Sequence, residues 1–110
     1  MKKTLWHVQL AIEAEKDLLR IVEYTQDNFG YKQAVTYRNI IVTALALLEN
    51  GPNILGSLTK DEISHGMRCL HVARGKRHGR HIILYRAANN NCIEIIRILH
   101  DAMDISQHIL

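Results

Sequence analysis

The run Asn91-Cys92-Ile93-Glu94-Ile95-Ile96-Arg97-Ile98-Leu99-His100 constrains the fold of this chain more than any other stretch. Ile93, Ile95 and Leu99 fall on one parity and Ile96 and Ile98 on the other, with β-branched residues at almost every step. The run therefore reads as a strand buried on both faces, and we expect it at the centre of a sheet. Its continuation, Asp101-Ala102-Met103-Asp104-Ile105, is not what packing alone would select. It sets a histidine, two carboxylates and a thioether where a buried strand leaves the core, and candidate functional residues belong there.

The remaining chain supplies cover for such a strand. Thr4 to Leu10 alternates, with Trp6, Val8 and Leu10 on one parity, and predicts a first strand with one face in the core. From Ile12 to Phe29 the spacing turns helical: Ala14, Leu18, Ile21, Val22, Thr25 and Phe29 recur at three- and four-residue steps, and Glu13, Glu15, Lys16, Asp17, Arg20 and Glu23 lie mostly away from them. Gly30 breaks this helix. A second helix is predicted over Tyr31 to Asn50, with Ala34, Tyr37, Ile41, Ala44, Leu45 and Leu48 as its stripe. Ile40, Val42 and Leu47 widen the stripe beyond what a two-helix hairpin covers, so part of it faces the sheet and part is left for a partner.

Gly51-Pro52 ends the second helix, and Asn53 to Gly66 has too little periodicity for more than a loop with one helical turn near Lys60. Alternation returns at Met67 to Ala73, with Leu70 and Val72 inward. Arg74-Gly75-Lys76-Arg77-His78-Gly79-Arg80 reads as a hairpin connection, Ile82 to Ala87 as a strand and Asn89-Asn90-Asn91 as a turn. The expectation is one α+β domain over residues 1–110: an N-terminal strand, a helical hairpin, then a three-stranded antiparallel meander, in the order βααβββ.

A chain of 110 residues with 47% hydrophobic content suits one packed domain. The Met1-Lys2-Lys3 start leads into a stretch interrupted by His7, Gln9 and Glu13, so neither a membrane span nor a secretory signal is expected, and a cytosolic location is. Cys69 and Cys92 lie inside apolar runs and read as small buried hydrophobes in preference to a disulfide. The formal charge of +3 is unevenly placed. Between Ile63 and Ile93 there is no Asp or Glu, while Arg68, Arg74, Lys76, Arg77, Arg80 and Arg86 all lie there with His65, His71, His78 and His81. Such a half favours an acidic protein, a nucleic acid, or both.

Individual residues narrow the chemistry. The basic hairpin suits phosphate or carboxylate contacts, against the plain alternative of a solvated turn. His78-x-x-His81 lacks the Cys or carboxylate that would complete a metal site, and no cofactor is called for. Ser57, Ser64 and Ser106 sit outside any nucleophile motif. Metal-free ribonucleolysis needs only an acid, a base and cations around a phosphate, which His71, His81, His100 and His108 with Arg68, Arg80 and Arg86 could supply. Against it stands the simpler reading of these histidines as surface or structural residues.

Taken together, the order of elements and several strings resemble the RelE/ParE superfamily of toxins from type II toxin–antitoxin systems, within it the ParE branch. The strings are Ala14-x-x-Asp17-Leu18, Tyr24 and Phe29-Gly30, Gly51-Pro52, Met67-Arg68-x-Leu70 and Ile83-Leu84-Tyr85-Arg86. The most specific is Ile95-x-x-Ile98-Leu99-His100-x-x-Met103-Asp104. The resemblance implies a toxin held inactive by a cognate antitoxin whose acidic C-terminal segment lies over the hairpin and sheet, with Ile40 and Leu47 as its contacts. ParE members poison DNA gyrase, trapping it with cleaved DNA, whereas RelE-like members cut messenger RNA on the ribosome.

RelE-type ribonucleases carry lysines where this chain has Cys69 and His71, arginines where it has Ile82 and Ala102, and a tyrosine near His108. Neutral side chains cannot stabilise charge developing on a phosphate. The gyrase reading therefore comes first, with Arg74, Lys76, Arg77, Arg80, His81, Arg86, His100, Met103 and Asp104 as the target surface and indirect contact with the target's DNA. The ribonuclease reading, resting on Arg68, His71 and His108, comes second, and a member that only binds its antitoxin in a regulatory complex third.

Overall fold

The computed structural model describes residues 4–73 and 79–105. Strand β1 (His7–Leu10) passes through Ala11 into helix α1 (Ile12–Phe29). Gly30, at φ 92°, separates it from α2 (Tyr31–Leu47), whose last turn tightens to a 3-10 helix over Leu48–Asn50. Then come β2 (Leu58–Thr59), β3 (Met67–His71), β4 (His81–Ala88) and β5 (Cys92–His100). The positive φ at Gly30 lets one residue turn the chain between two helices, a conformation that a Cβ would strain. Asn90 and Asn91 make the β4–β5 turn at φ 63° and 52°, the left-handed region that asparagine tolerates.

The sheet runs in the order β1-β5-β4-β3-β2. β1 is parallel to β5, and every other pair is antiparallel. This corrects the predicted topology in three ways. The sheet has five strands and is mixed, because the helical hairpin acts as the crossover that a parallel pair requires. β5 is not the middle strand; β4 is, and β5 lies between it and β1. The stretch read as a loop contains β2, which pairs Leu58 with Cys69 and Thr59 with Arg68. Both β2 residues are exposed, so a two-residue strand with no buried side carried no alternation to detect.

The two helices cover one face of the sheet. Ala14, Ile41, Ala44, Leu45 and Leu48 pack there against Leu70, Val72, Ile83, Tyr85, Ile93, Ile95 and Ile98. The opposite face holds a smaller cluster of Met67, Cys69, Ile82, Leu84 and Leu99, joined by Ile96 and by Ile105 after β5. Both cysteines are free thiols. No helix among the described residues is long and apolar enough to cross a membrane.

β5 is buried on both faces as expected, but its parity changes midway. Tyr85 pairs with Ile95 and Leu84 with Arg97, so Ile96 is an extra residue, a β-bulge. After it, Ile98 joins Ile93 and Ile95 on the helix side, and Leu99 passes to the other side with Ile96. The sequence pattern, counted straight through, had placed Leu99 with Ile93.

Beside the bulge, β1 ends at Leu10 opposite Ile95, leaving the edge of β5 open. Asp17, on α1, closes it. Its carboxylate accepts the Ile98 backbone N–H at 2.9 Å and a fork from Arg97, Nε at 2.7 Å and Nη2 at 2.9 Å, with Arg20 Nη1 at 3.5 Å. Asp17 is 5% exposed, the one buried charged residue in the described chain. Sequence spacing had put it on the solvated face of α1.

Two stability measurements follow. Asp17→Ala strands a half-buried guanidinium and a buried edge N–H, and chemical denaturation should show a loss of about 3–5 kcal/mol; a loss near zero would mean that water replaces the carboxylate. Leu48→Ala, at a fully buried position, should cost about 2–5 kcal/mol by the same measurement.

Candidate functional site

Functional side chains gather where β3 ends, β4 begins and β5 ends. His81 and His100 are cross-strand partners, their ring centroids 5.4 Å apart in an edge-to-face arrangement. Tyr37 reaches them from α2, its hydroxyl 2.5 Å from His81 Nδ1. The same hydroxyl accepts the Arg80 backbone N–H at 3.1 Å; we assign its own proton to His81 Nδ1, the arrangement in which the phenol both donates and accepts. Gly79 allows this approach: a Cβ there would lie 2.7 Å from Val72 Cγ2 and 3.3 Å from the Tyr37 hydroxyl.

Asp101 is the second centre. Arg80 grips it through Nε at 3.1 and 3.2 Å and Nη2 at 3.0 Å, and its backbone N–H donates to the Arg80 carbonyl at 2.7 Å. His71 Nε2 donates to it at 3.0 Å, because His71 Nδ1 already accepts the Ala73 N–H at 3.0 Å. These bonds fix His71 as the neutral Nε2–H tautomer. Arg80, then His71, hold the Asp101 carboxyl down at about 2. Burial, reinforced by neighbouring His100, lowers His81 to about 4, and burial also pushes the Tyr37 phenol up. His100 Nδ1 accepts the Ala102 N–H at 3.1 Å.

The predicted site residues divide accordingly. Arg80, His81 and His100 come together at this end of the sheet, with Met103 and Asp104 exposed on the turn that follows. Arg86 does not join them. It is five residues, roughly 17 Å of extended strand, from His81. There it donates to Ser64 Oγ at 2.7 Å, while its buried Nε has no hydrogen-bond partner among the described residues. Arg68 ties down the loop after α2, donating to the Pro52 carbonyl at 3.0 Å and Ser57 Oγ at 2.6 Å; the Tyr85 hydroxyl donates to the same carbonyl at 2.6 Å. Arg74, Lys76, Arg77 and His108 lie outside the described residues.

On α2, Ile40 and Leu47 are half-buried, and Ile40 packs against the helix-side core. The exposed apolar side chains there are Tyr31, Val35 and Val42, matched on α1 by Ile12, Leu19 and Tyr24. Sequence reasoning missed Tyr37 as a member of the cluster, and it noted Asp101 only as one of two carboxylates in the tail after β5, without a role in the site. A tyrosine in a core stripe carries a hydroxyl that needs a partner, and that was the available signal for Tyr37.

Chemically, the cluster keeps its acceptors for itself. Both Asp101 oxygens and both His71 nitrogens are engaged, and His81 and His100 each spend Nδ1 on a donor. What remains is N–H: Nε2 of His81 and of His100, neither with a partner among the described residues.

A family model for the ParE toxin of type II toxin–antitoxin systems, parDE, matches residues 8–105. The chain belongs to the ParE toxin family. Toxin ParE1 of Mycobacterium tuberculosis, in strains CDC 1551 / Oshkosh and ATCC 25618 / H37Rv, is 29% identical over 100 residues, 91% of this chain and 94% of that protein. Among solved structures, the chromosomal ParDE system from P. aeruginosa superposes with a TM-score of 0.69 at 19% identity, covering 88% of this chain and 97% of that one. The RelBE2 toxin–antitoxin complex from Mycobacterium tuberculosis superposes with a TM-score of 0.57 at 19% identity, covering 93% and 98%. The fold of this ParE-family chain is thus that of the RelE/ParE superfamily.

The cluster gives the ParE-family fold an acid-sensitive joint. His81 binds a proton at about 4 when folded and near 6.5 when unfolded. Between those values the unfolded chain takes up the proton first, so stability is full above about 6.5 and falls as pH drops toward 4. Asp101 acts in a separate window, with stability lost as pH falls from 3.8 toward 2. Urea midpoints for His81→Asn, whose amide oxygen can replace Nδ1, should decline less than wild type between pH 6.5 and 4 and alike below it.

Proposed function

We propose that this ParE-family chain is a toxin that inactivates DNA gyrase by binding, holding the enzyme with cleaved DNA, and that it performs no chemistry of its own. The observation that carries this reading is the state of the polar cluster. Its acceptors are committed internally, and the Arg68 and His71 side chains that a ribonuclease would need are occupied, one clamping a loop and the other bridging Ala73 and Asp101. Cys69 and Ile82, at positions where RelE-type enzymes carry cations, are buried at 5% and 7% exposure among apolar neighbours.

A cognate antitoxin is the second partner. Tyr31, Val35 and Val42 on α2, with Ile12 and Leu19 on α1, leave exposed apolar side chains along the hairpin, which an amphipathic segment covers by laying its own apolar face on them. An acidic C-terminal segment in that partner complements the acid-free half of this chain. The M. tuberculosis RelBE2 toxin–antitoxin complex is a precedent in this fold for a toxin paired with an antitoxin.

The deciding experiment is a supercoiling assay with purified gyrase, plasmid and ATP as the protein is titrated in. Linear plasmid after protease digestion is the expected product, and antitoxin added first should abolish it. If gyrase is untouched at concentrations that stop translation in an extract, the ribonuclease reading takes over and Arg68, His71 and His108 become the residues to change. If expression of the chain alone leaves growth unaffected, it acts only as an antitoxin-binding member of a regulatory complex.

A further inference from the structure

Beyond the choice of target, the geometry points to a phosphate-binding rim at the end of the sheet, formed by His81, His100 and Arg80, that grips the backbone of duplex DNA directly. It deepens the gyrase reading by putting the second macromolecule of that complex, the DNA, on the toxin itself.

Hydrogen bonds set the character of the rim. Tyr37 donates to His81 Nδ1, and Ala102 donates to His100 Nδ1, so in each neutral ring the proton resides on Nε2. Two N–H donors without partners among the described residues therefore sit on rings 5.4 Å apart at paired strand positions. Arg80 stands next to His81 in the chain with 68% of its side chain exposed; it uses Nε and Nη2 on Asp101 and leaves Nη1 over. Arg80 stands one residue before β4 and is turned to Asp101 just after β5, so a ligand that lies across this end of the sheet meets its spare Nη1 beside the two rings.

The same bonds argue against a metal. An imidazole ligates through a lone pair on Nε2, which requires its proton to move to Nδ1. At His100 that position already receives the Ala102 backbone N–H, so the shift would set donor against donor, and at His81 the Tyr37 hydroxyl would have to give up its donor role. An anion needs no shift, because it accepts the N–H as it stands. The nearby carboxylates do not compete for it. Asp17 is engaged by Arg97 and the Ile98 N–H, and Asp101 by Arg80 and His71. From Ser64 to Cys92 the sequence contains no Asp or Glu at all.

A phosphodiester backbone fits such a rim better than an acidic peptide. The Arg80–Asp101 pair is neutral overall, so recognition rests on directed N–H bonds more than on net charge. Phosphates offer acceptor oxygens at fixed intervals along a stiff duplex, and much of protein–DNA contact consists of such bonds. Carboxylates on flexible side chains lose rotamer freedom for each bond made.

The test uses the full chain and a fluorescein-labelled DNA duplex, with no gyrase present, read by anisotropy. Wild type should bind in the ordinary non-specific range, at a Kd of about 10⁻⁴–10⁻⁶ M, and weaken as salt rises. Asparagine places its amide oxygen where histidine has Nδ1 but has no outer N–H, whereas glutamine keeps an N–H near the place of Nε2. His81→Asn with His100→Asn should therefore weaken binding about tenfold or more, as expected for two lost hydrogen bonds. His81→Gln with His100→Gln should stay within about threefold of wild type by the same reasoning. The salt slope should be unchanged in both, since neutral donors release no counterions. His100→Asn alone, which retains the Ala102 contact, supplies the comparison if a double variant fails to fold.

Three results would overturn the rim: no DNA binding by wild type at about 50 mM salt; equal affinities for the asparagine and glutamine variants; or displacement of DNA by polyglutamate of matched charge as readily as by unlabelled duplex, which would assign the rim to an acidic protein. Because gyrase is absent, each of these leaves the supercoiling result untouched, and a negative supercoiling result leaves these measurements untouched in turn.

Discussion

The buried carboxylate of Asp17 holds the two layers of this protein in register. A strand of four residues cannot cover the edge of a strand of nine, and β1 stops where α1 has to begin. The uncovered N–H of Ile98 and the cation of Arg97 would both be costly beside an apolar core. Asp17 satisfies them at once from one turn into the helix, and so fixes where α1 sits over β5. With α1 fixed and Gly30 permitting a one-residue turn, the approach of α2 follows, and with it the position of Tyr37. Burying a carboxylate is poor economy for stability alone. Its effect here is alignment, because no apolar residue could bond an edge N–H and a guanidinium together.

Tyr37 then carries that alignment to the functional end of the sheet. Its hydroxyl meets the backbone where β4 begins and the ring of His81, so the helical hairpin and the start of β4 share one contact. Asp101 does the corresponding work between β5 and β4 through Arg80 and reaches β3 through His71. The ParE-family chain thus has a braced sheet end whose acceptors, among the described residues, are engaged within it. The exposed apolar side chains proposed for the antitoxin lie on the helices, away from this cluster, so the two proposed partners need not compete for one patch.

Much of the fold was legible because it rests on local rules. The helix ends at Phe29, the breaks at Gly30 and Gly51, and the strand starts at Met67 and Cys92 all follow from periodicity and from glycine or asparagine chemistry. What escaped was set by tertiary contact. β2 shows no pattern since neither residue is buried. The parallel pairing of β1 depends on where the hairpin returns the chain. Asp17 looks like any solvated helix acid until an open strand edge is placed beside it. At the site, His81, His100 and Arg80 were named only within a broad surface that the resemblance implied, and their convergence depends on strand pairing that a sequence does not show, while Arg68 and Arg86, equally basic in the sequence, turned out to fasten loops. A cation in a sequence does not declare whether its partner is solvent or the chain's own oxygen atoms.

The bulge at Ile96 gives β5 an unusual arithmetic. Upstream and downstream halves each point their branched side chains correctly only because one residue is held out of the count between them. Removing Arg97 would leave an evenly alternating strand in which Ile93, Ile95 and Ile98 still share a side and Ile96 and Leu99 the other, so both apolar clusters keep their members. The polar contacts do not survive it, since Arg97 owes its reach along the edge to the irregularity. Chain length at this point is therefore governed by an ion pair, and a relative one residue shorter in this strand would have to fasten its first helix by other means.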